Sequence, residues 1–209
     1  QIVGYGELDG DPTFRAYRYT PAVLDQDGTV LQPAWVEQLG PLTPDDHKWT
    51  GTDINAWGEV CGLVTDTTTN INTAWYYNDI TGIEPLLGEM DLFPWKINDS
   101  GQILANREDD LATRCVVRVV PGQTPEFFYN PLGEEFGLSA NDMNENGWFV
   151  GNTVLNVTQK GKRVTTRSGA YRHDGVVCLD LGAGDGSTSE GLNNHGDVCG
   201  NFGRFTNDG

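Results

Sequence analysis

Two short acidic stretches bring this sequence nearest to a metal site. "LDGDPT" (residues 8–13) and "LDQDGT" (residues 24–29) supply Asp9, Asp11, Asp25 and Asp27. Alternating carboxylates beside glycine can offer several oxygens to Ca²⁺, the one cofactor the sequence suggests. Neither stretch runs on into a twelve-residue calcium loop closed by glutamate. Asp and Gly also favour tight turns, so hairpin turns are the expected reading. His47, His173 and His195 share no spacing that would hold a metal, and "DDH" at 45–47 sets two carboxylates beside an imidazole with no further signature. No Gly-x-Ser-x-Gly elbow, phosphate-binding loop or HExxH occurs. Among 30 acids no pair stands out as a glycosidase dyad. No residue is assigned a catalytic role, and a non-enzymatic protein is expected.

Aromatic side chains are the better lead for binding. Trp35, Trp49, Trp57, Trp75, Trp95 and Trp148 are many for 209 residues. Most are expected to fill interfaces between sheets. Trp57 falls in a turn and is the candidate for stacking on a sugar ring. Two glycosylation sequons occur, at Asn98 and Asn156. Asn156 lies in a long connection and is the better acceptor of the two. The formal net charge of −17 repels phosphate backbones, so nucleic acid is not expected as a partner. No run of residues approaches the roughly 18–20 apolar positions of a membrane span. Cys61, Cys115, Cys178 and Cys199 form no CxxC, and their even number permits disulfides without requiring them.

What must position these residues is a repeated phrase. "INAWGEVCG" (54–62), "INDSGQILA" (97–105), "MNENGWFVG" (143–151) and "LNNHGDVCG" (192–200) share the pattern apolar–Asn–x–x–Gly–x–apolar–apolar–small. The asparagines are Asn55, Asn98, Asn144 and Asn193. The glycines are Gly58, Gly101, Gly147 and Gly196, spaced 43, 46 and 49 residues apart. Asn-x-x-Gly between two apolar runs predicts a tight hairpin. The Asn side chain bonds the backbone ahead of it, and Gly supplies a positive φ. The run before Asn is strand a and the run after Gly is strand b. Cys61 and Cys199 share a strand b slot that Val and Leu fill elsewhere, so two small core side chains are expected there rather than a disulfide.

A second phrase, small–aromatic–x–aromatic, predicts strand c: Ala16-Tyr17-Arg18-Tyr19, Ala74-Trp75-Tyr76-Tyr77 and Ala170-Tyr171-Arg172-His173, with Cys115-Val116-Val117-Arg118 as the departing copy. Strand d runs into Leu-Gly at 39–40, 87–88, 132–133 and 181–182. Gly51, Pro94, Ala140 and Ser189 stand three before the apolar residue of strand a, a spacing that suits crowding near a central axis. Four short strands in about 45 residues is the size of one propeller blade. The expected fold is an all-β, propeller-like array of four to five four-stranded antiparallel blades, with a β-solenoid as the rival. A single repeat domain spans 1–209, with units near 1–48, 49–92, 93–138 and 139–186 and a partial unit at 187–209.

Taken together, these phrases resemble the bacterial extracellular HAF repeat, best in "SANDMNENGWFVG" with "GAYRHDGVVCLDLG". The departures are Ala105 in place of Gly, the third unit's missing aromatics and an insertion around 21–36. The resemblance implies a propeller-like fold and a secreted or surface-exposed location. It carries over no catalytic residue. A structural or adhesive protein is therefore expected, whose partners are copies of itself, other surface proteins or glycans. Its variable loops would be 21–36, 63–73 and 152–168. The alternatives are a carbohydrate-binding propeller and a hydrolase with carboxylates in a central channel. The chain opens within strand b, without Met, and stops after another strand b. This suggests part of a longer chain, or terminal strands that pair with another subunit.

Overall fold

The computed structural model describes residues 1–8, 11–40, 47–87, 91–107, 115–131, 136–159, 162–181 and 186–201; among these, the side chains of 8, 11–13, 47, 136, 154–159 and 162–168 are not described. The described residues contain strands, turns and bends and no helix, so none is long and apolar enough to cross a membrane. The protein is all-β, built from several small antiparallel sheets. Its contacts divide it into two compact units, Gln1–Asp99 and Ser100–Gly209, with the division in the turn of the third repeat.

In the first unit, β1 (Ile2–Leu8) and β2 (Asp11–Thr20) are strands b and c of the first repeat. An inserted hairpin follows, β3 (Val23–Leu24) and β4 (Val30–Gln32), which forms a separate two-stranded sheet. Strand d is β5 (Trp35–Leu39), and the sheet order is β1-β2-β5. The second repeat is complete: β6 (His47–Ile54), β7 (Val60–Asp66), β8 (Asn72–Asn78) and β9 (Gly82–Pro85), hydrogen-bonded in that order. β10 (Leu92–Ile97) ends the unit.

In the second unit β11 (Ile103–Arg107), β12 (Cys115–Val119) and β13 (Glu126–Phe128) pair in sequence. The fourth repeat is again complete, with β14 (Phe136–Met143), β15 (Phe149–Gln159), β16 (Lys162–His173) and β17 (Cys178–Asp180). The fifth contributes β18 (Thr188–Leu192) and β19 (Val198–Asn201). Two of the expected variable loops are mostly strand. The stretch 152–168 is a long ribbon of β15 on β16, and within 63–73 only 67–71 lies between strands.

The small residues of strand a have a local reason. Gly51 pairs with Gly62, Ala140 with Gly151 and Ser189 with Gly200, and the register of strand a shifts by one residue immediately afterwards. The bulge turns a backbone carbonyl toward the residue opposite. A Cβ on Gly62, Gly151 or Gly200 would fall closer to the carbonyl oxygen of Thr50, Ser139 or Thr188 than real Cβ atoms come. Gly4 holds the same place in β1, which has no strand a beside it among the described residues, and a Cβ there would meet nothing within 4 Å.

Pairing also corrects the third repeat. Gly4, Gly62 and Gly151 face Tyr17, Trp75 and Tyr171, whereas Ala105 faces Val117. The strand c phrase of this repeat is therefore Val116-Val117-Arg118-Val119, one residue later than its composition suggests.

Each unit has its own core. In the first, Ala16 and Leu39 of one sheet pack with Trp49, Val60 and Trp75 of the next. The rings of Trp49 and Trp75 lie 5.9 Å apart. In the second, Leu104 and Val116 pack with Leu138, Phe149 and Tyr171. His173 belongs to this second core: its ring stacks on Phe149 at 4.8 Å and meets the edge of Phe128 at 4.8 Å, and its Nδ1 accepts the Gly175 amide at 2.9 Å. Burial holds its pKa below the ordinary 6.5; Arg118 adds to this and Asp174 opposes it.

Two outcomes follow. Gly151→Ala should cost about 1–3 kcal/mol in chemical denaturation, since the backbone must give way, whereas Gly4→Ala should cost little. His173 binds its proton less readily folded than unfolded, so its effect on stability is nil above the unfolded value of 6.5. Stability should then fall as pH drops below that value. His173→Gln, which keeps an acceptor but does not titrate, should flatten this part of a urea-midpoint profile against pH.

Candidate functional site

The repeated Asn-x-x-Gly turn does two jobs, and the second was not legible beforehand. Within the turn, the Asn55 side-chain oxygen accepts the amides of Trp57 (3.1 Å) and Glu59 (3.0 Å). Asn144 does the same for Asn146 and Trp148, and Asn193 for His195 and Asp197. The amides of Gly58, Gly147 and Gly196 return to the carbonyl of their own Asn, and Gly58, Gly101, Gly147 and Gly196 all have positive φ. These positions and Asn98 stand at or beside the turns the sequence assigned them.

The other half of the amide reaches outward. Asn55 Nδ2 donates to the carbonyl of Asn98, the turn asparagine of the following repeat, at 3.1 Å. Asn144 Nδ2 donates to the carbonyl of Asn193 at 3.0 Å. Beside each of these bonds runs a matching set. The Ala56 amide donates to Asp99 Oδ1, as the Glu145 amide does to Asn194 Oδ1. Trp57 Nε1 donates to the Asp99 carbonyl, as Asn146 Nδ2 does to the Asn194 carbonyl. Asp53 Oδ2 accepts the Ile97 amide, as Asp142 Oδ2 accepts that of Leu192. One set of bonds thus joins consecutive turns in both units.

Strand c adds a clasp, buried at Arg18 and partly buried at Arg118 and Arg172. Arg18 Nη1 donates to the Gly58 carbonyl at 3.0 Å, Arg118 Nη1 to that of Gly147 at 2.8 Å, and Arg172 Nη1 to that of Gly196 at 2.9 Å. Each arginine reaches the turn glycine of the next repeat. A Cβ on that glycine would crowd the guanidinium, so Gly serves the joint as well as the turn.

Arg18 is the most elaborated of the three. It is 3% exposed, bonded to Glu37 Oε2 and to Asp79 Oδ1 (2.7 Å), and its guanidinium lies 5.1 Å from the Tyr77 ring and 5.8 Å from that of Trp35. Tyr77 donates to Asp79 Oδ1 at 3.0 Å. Burial works against the charge of Arg18, but the bonds to Asp79 and Glu37 outweigh it and raise its pKa. The bond from Arg18 holds Asp79 below the ordinary carboxylate value, and burial together with Asp79 pushes Tyr77 up to about 12. A carboxylate held down in this way is a poor general acid near neutral pH. Beside the cluster, Gln38, Gly40, Tyr77 and Ile83 line an open depression of about 370 Å³.

The remaining predicted residues fall out as follows. Asp25 Oδ1 accepts the amides of Asp27 (3.0 Å) and Thr29 (2.8 Å), so this carboxylate serves its own turn. Asp9 lies outside the described residues, as does the side chain of Asp11. No group of three or more His, Cys, Asp or Glu placed to hold a metal occurs among the described residues. Asn98 is 3% exposed, too buried to accept a glycan in the folded protein. Asn156 lies in β15 rather than in a loop, and its side chain is not described. Trp57 is 72% exposed, with its ring oriented by the bond to Asp99.

The four cysteines are free. Cys61 is buried, which pushes its thiol up to about 12, whereas Cys199 is exposed, contrary to the expectation of a second core side chain. Sequence reading also missed Asn106 and Asn152, which follow the closing small residue of strand b. Asn106 bonds both the amide and the carbonyl of Ala140, and Asn152 accepts the amide of Ser189. Their adjacency to the repeat phrase was the available signal.

Asn144→Ala removes the turn bonds and the joint bond together. It should destabilise the protein by about 1–3 kcal/mol, because the amides of Asn146 and Trp148 and the Asn193 carbonyl lose a partner. His195→Ala, at an exposed turn position, should change the denaturation midpoint little.

Compared with protein-family models, curated proteins and solved structures, the chain matches no family model, no curated protein and no solved structure.

Proposed function

We propose that this chain is a non-enzymatic structural or adhesive repeat protein of the cell surface or extracellular space, with HAF-like repeats arranged as in a propeller. One observation carries the reading: the polar side chains that recur in the sequence are engaged in holding one repeat to the next. Asn55, Asn144, Asp53, Asp142, Arg18, Arg118 and Arg172 each bond the backbone of the following repeat. Selection for such side chains serves a stiff array of sheets that presents its insertions outward. The net charge of −17 suits a solvated surface protein. Other surface proteins and copies of the chain itself are the proposed partners.

A carbohydrate-binding reading has one observation in its favour, the outward ring of Trp57, fixed by the Asp99 carbonyl. A stacked sugar would use that face.

Two measurements test the main reading. Fractionation of the source cells with an antibody to this chain should find it in the surface fraction or the medium; a cytosolic location overturns it. A panel of chromogenic esters, glycosides and phosphates should show no turnover. Turnover that co-purifies with the chain and is lost on substituting its carboxylates would identify an enzyme instead. A glycan array read against Trp57→Ala decides the second reading.

A further inference from the structure

Positive charge is gathered at one place in this acidic chain. Between Asn146 and His173 there is no Asp or Glu, and Lys160, Lys162, Arg163, Arg167 and Arg172 all fall there. Arg172 is engaged with the Gly196 carbonyl, and Lys160 lies outside the described residues. Lys162, Arg163 and Arg167 lie on β16, toward the end of the strand that runs past its own sheet.

β15 and β16 pair over eleven residues, against six for β7 on β8 and five for β11 on β12. β14 accompanies β15 only as far as Leu155, and β17 accompanies β16 only from Tyr171 to His173. Beyond these limits residues 156–159 and 162–165 pair with each other alone among the described residues. The result is a two-stranded arm. Lys162 stands opposite Gln159, Arg163 opposite Thr158 and Arg167 opposite Val154. Lys162 and Arg163 are consecutive, and consecutive strand positions belong to opposite faces, so neither face of the arm is without a base. Charge on an unpaired strand edge discourages pairing with other chains, and either sign would serve. This chain has 30 acids against 13 bases, yet the arm is basic. Edge protection accounts for charge here but not for its sign.

The complementary surface belongs to the other compact unit. Residues 1–99 hold 16 acids and four bases, a formal charge of −12, whereas residues 100–209 hold 14 acids and nine bases, a formal charge of −5. Of the four bases in the first unit, Arg15 and Arg18 are buried. Its acids reach the surface at Asp25, Asp27, Asp79, Glu84 and Asp99. Such asymmetry of charge within one chain marks an interaction surface.

We propose that the β15–β16 arm, through Lys162, Arg163 and Arg167, docks the acidic surface of the first unit, Gln1–Asp99, of a second copy of this chain. At physiological ionic strength, about 0.15 M, the screening length is about 8 Å. The like net charges of two copies are then hidden from each other except at close range, where local complementarity decides. A polyanionic partner is disfavoured, because the acids that attract the arm repel a polyanion. A two-stranded ribbon is marginal alone in water, and a partner's surface steadies it. The contact joins two different surfaces, so each copy keeps one of each and assembly can propagate. This inference rests on the reading of the chain as a structural repeat protein and names its partner.

Sedimentation velocity over a concentration series tests it, at about 0.15 M ionic strength and at about 1 M, where the screening length falls to about 3 Å. The unmodified protein should form species larger than one chain at the lower ionic strength, growing with concentration, and lose them at the higher. Lys162→Thr/Arg163→Thr/Arg167→Thr removes the charge and keeps residues that suit strands. It should be monomeric under both conditions, with the circular dichroism of the parent. Asp27→Lys/Glu84→Lys, which reverses exposed acids of the first unit, should weaken association at the lower ionic strength. A parent that stays monomeric at every concentration overturns the docking surface; retention of that monomer on heparin, with release by salt, would assign the arm to a polyanion instead. Association that survives the arm substitutions, that high salt does not dissolve, or that the acid reversals leave unchanged overturns it equally. Each of these failures leaves the surface-protein reading to its own tests.

Discussion

One bifunctional side chain organises this protein. The carboxamide of the turn asparagine has an acceptor and a donor set back to back. Its oxygen closes the hairpin on the amides two and four residues ahead, and its nitrogen bonds the carbonyl of the next turn asparagine. A carboxylate would keep the first function and lose the second, and a hydroxyl could not span both. Because these asparagines are buried in the second and fourth repeats, each unmet bond would carry a desolvation penalty of about 1–3 kcal/mol. The turn and the joint are therefore coupled: the local chain cannot take its shape without presenting the group that binds its neighbour.

The remaining recurrent residues follow from that coupling. Glycine three places on gives the positive φ, and it also leaves room for the arginine that grips its carbonyl. The closing glycine of strand b faces a bulge whose backbone tolerates no Cβ. The bulge re-aims strand a so that Asp53 and Asp142 take the amides just ahead of the next turn. Where the pattern lapses, the substitution is intelligible. The second repeat has Tyr76 in the arginine position, and its hydroxyl bonds Glu59, the same carboxylate that Asn55 holds. Burial and that carboxylate raise the tyrosine pKa, so it stays a neutral donor. The fourth repeat has Leu179 opposite its arginine in place of an acid, which makes its outward face apolar.

Several of these features were legible in the residues and several were not. The asparagines, the turn glycines and the order of strands within a repeat are local matters, set by φ, hydrogen bonds four residues long and period-two alternation. The inserted stretch 21–36 was visible because it interrupts the phrase. The strand c of the third repeat was placed one residue early, because valines carry no aromatic marker and pairing alone sets their register. Cys199 was assigned to the core by analogy with Cys61, yet burial depends on what covers a sheet, which no single repeat contains. The sequon at Asn98, already the weaker of the two candidates, is local in the same way, and its burial is not.

The sequence by itself determined that the chain is made of short antiparallel strands, where its hairpins turn, and that the pattern recurs, since each of these depends on neighbours within a few residues. Only the tertiary structure decided what the repeats do to one another. It directed Arg18, Arg118 and Arg172 onto glycine carbonyls 40, 29 and 24 residues away. It buried Val60, with Tyr77 and Ile83 partly buried beside it, and left the equivalent Ile2, Tyr19 and Val36 exposed. Identical local patterns meet different fates there because the free energy of an apolar face depends on whether another sheet removes it from solvent, and that is a property of the assembled array.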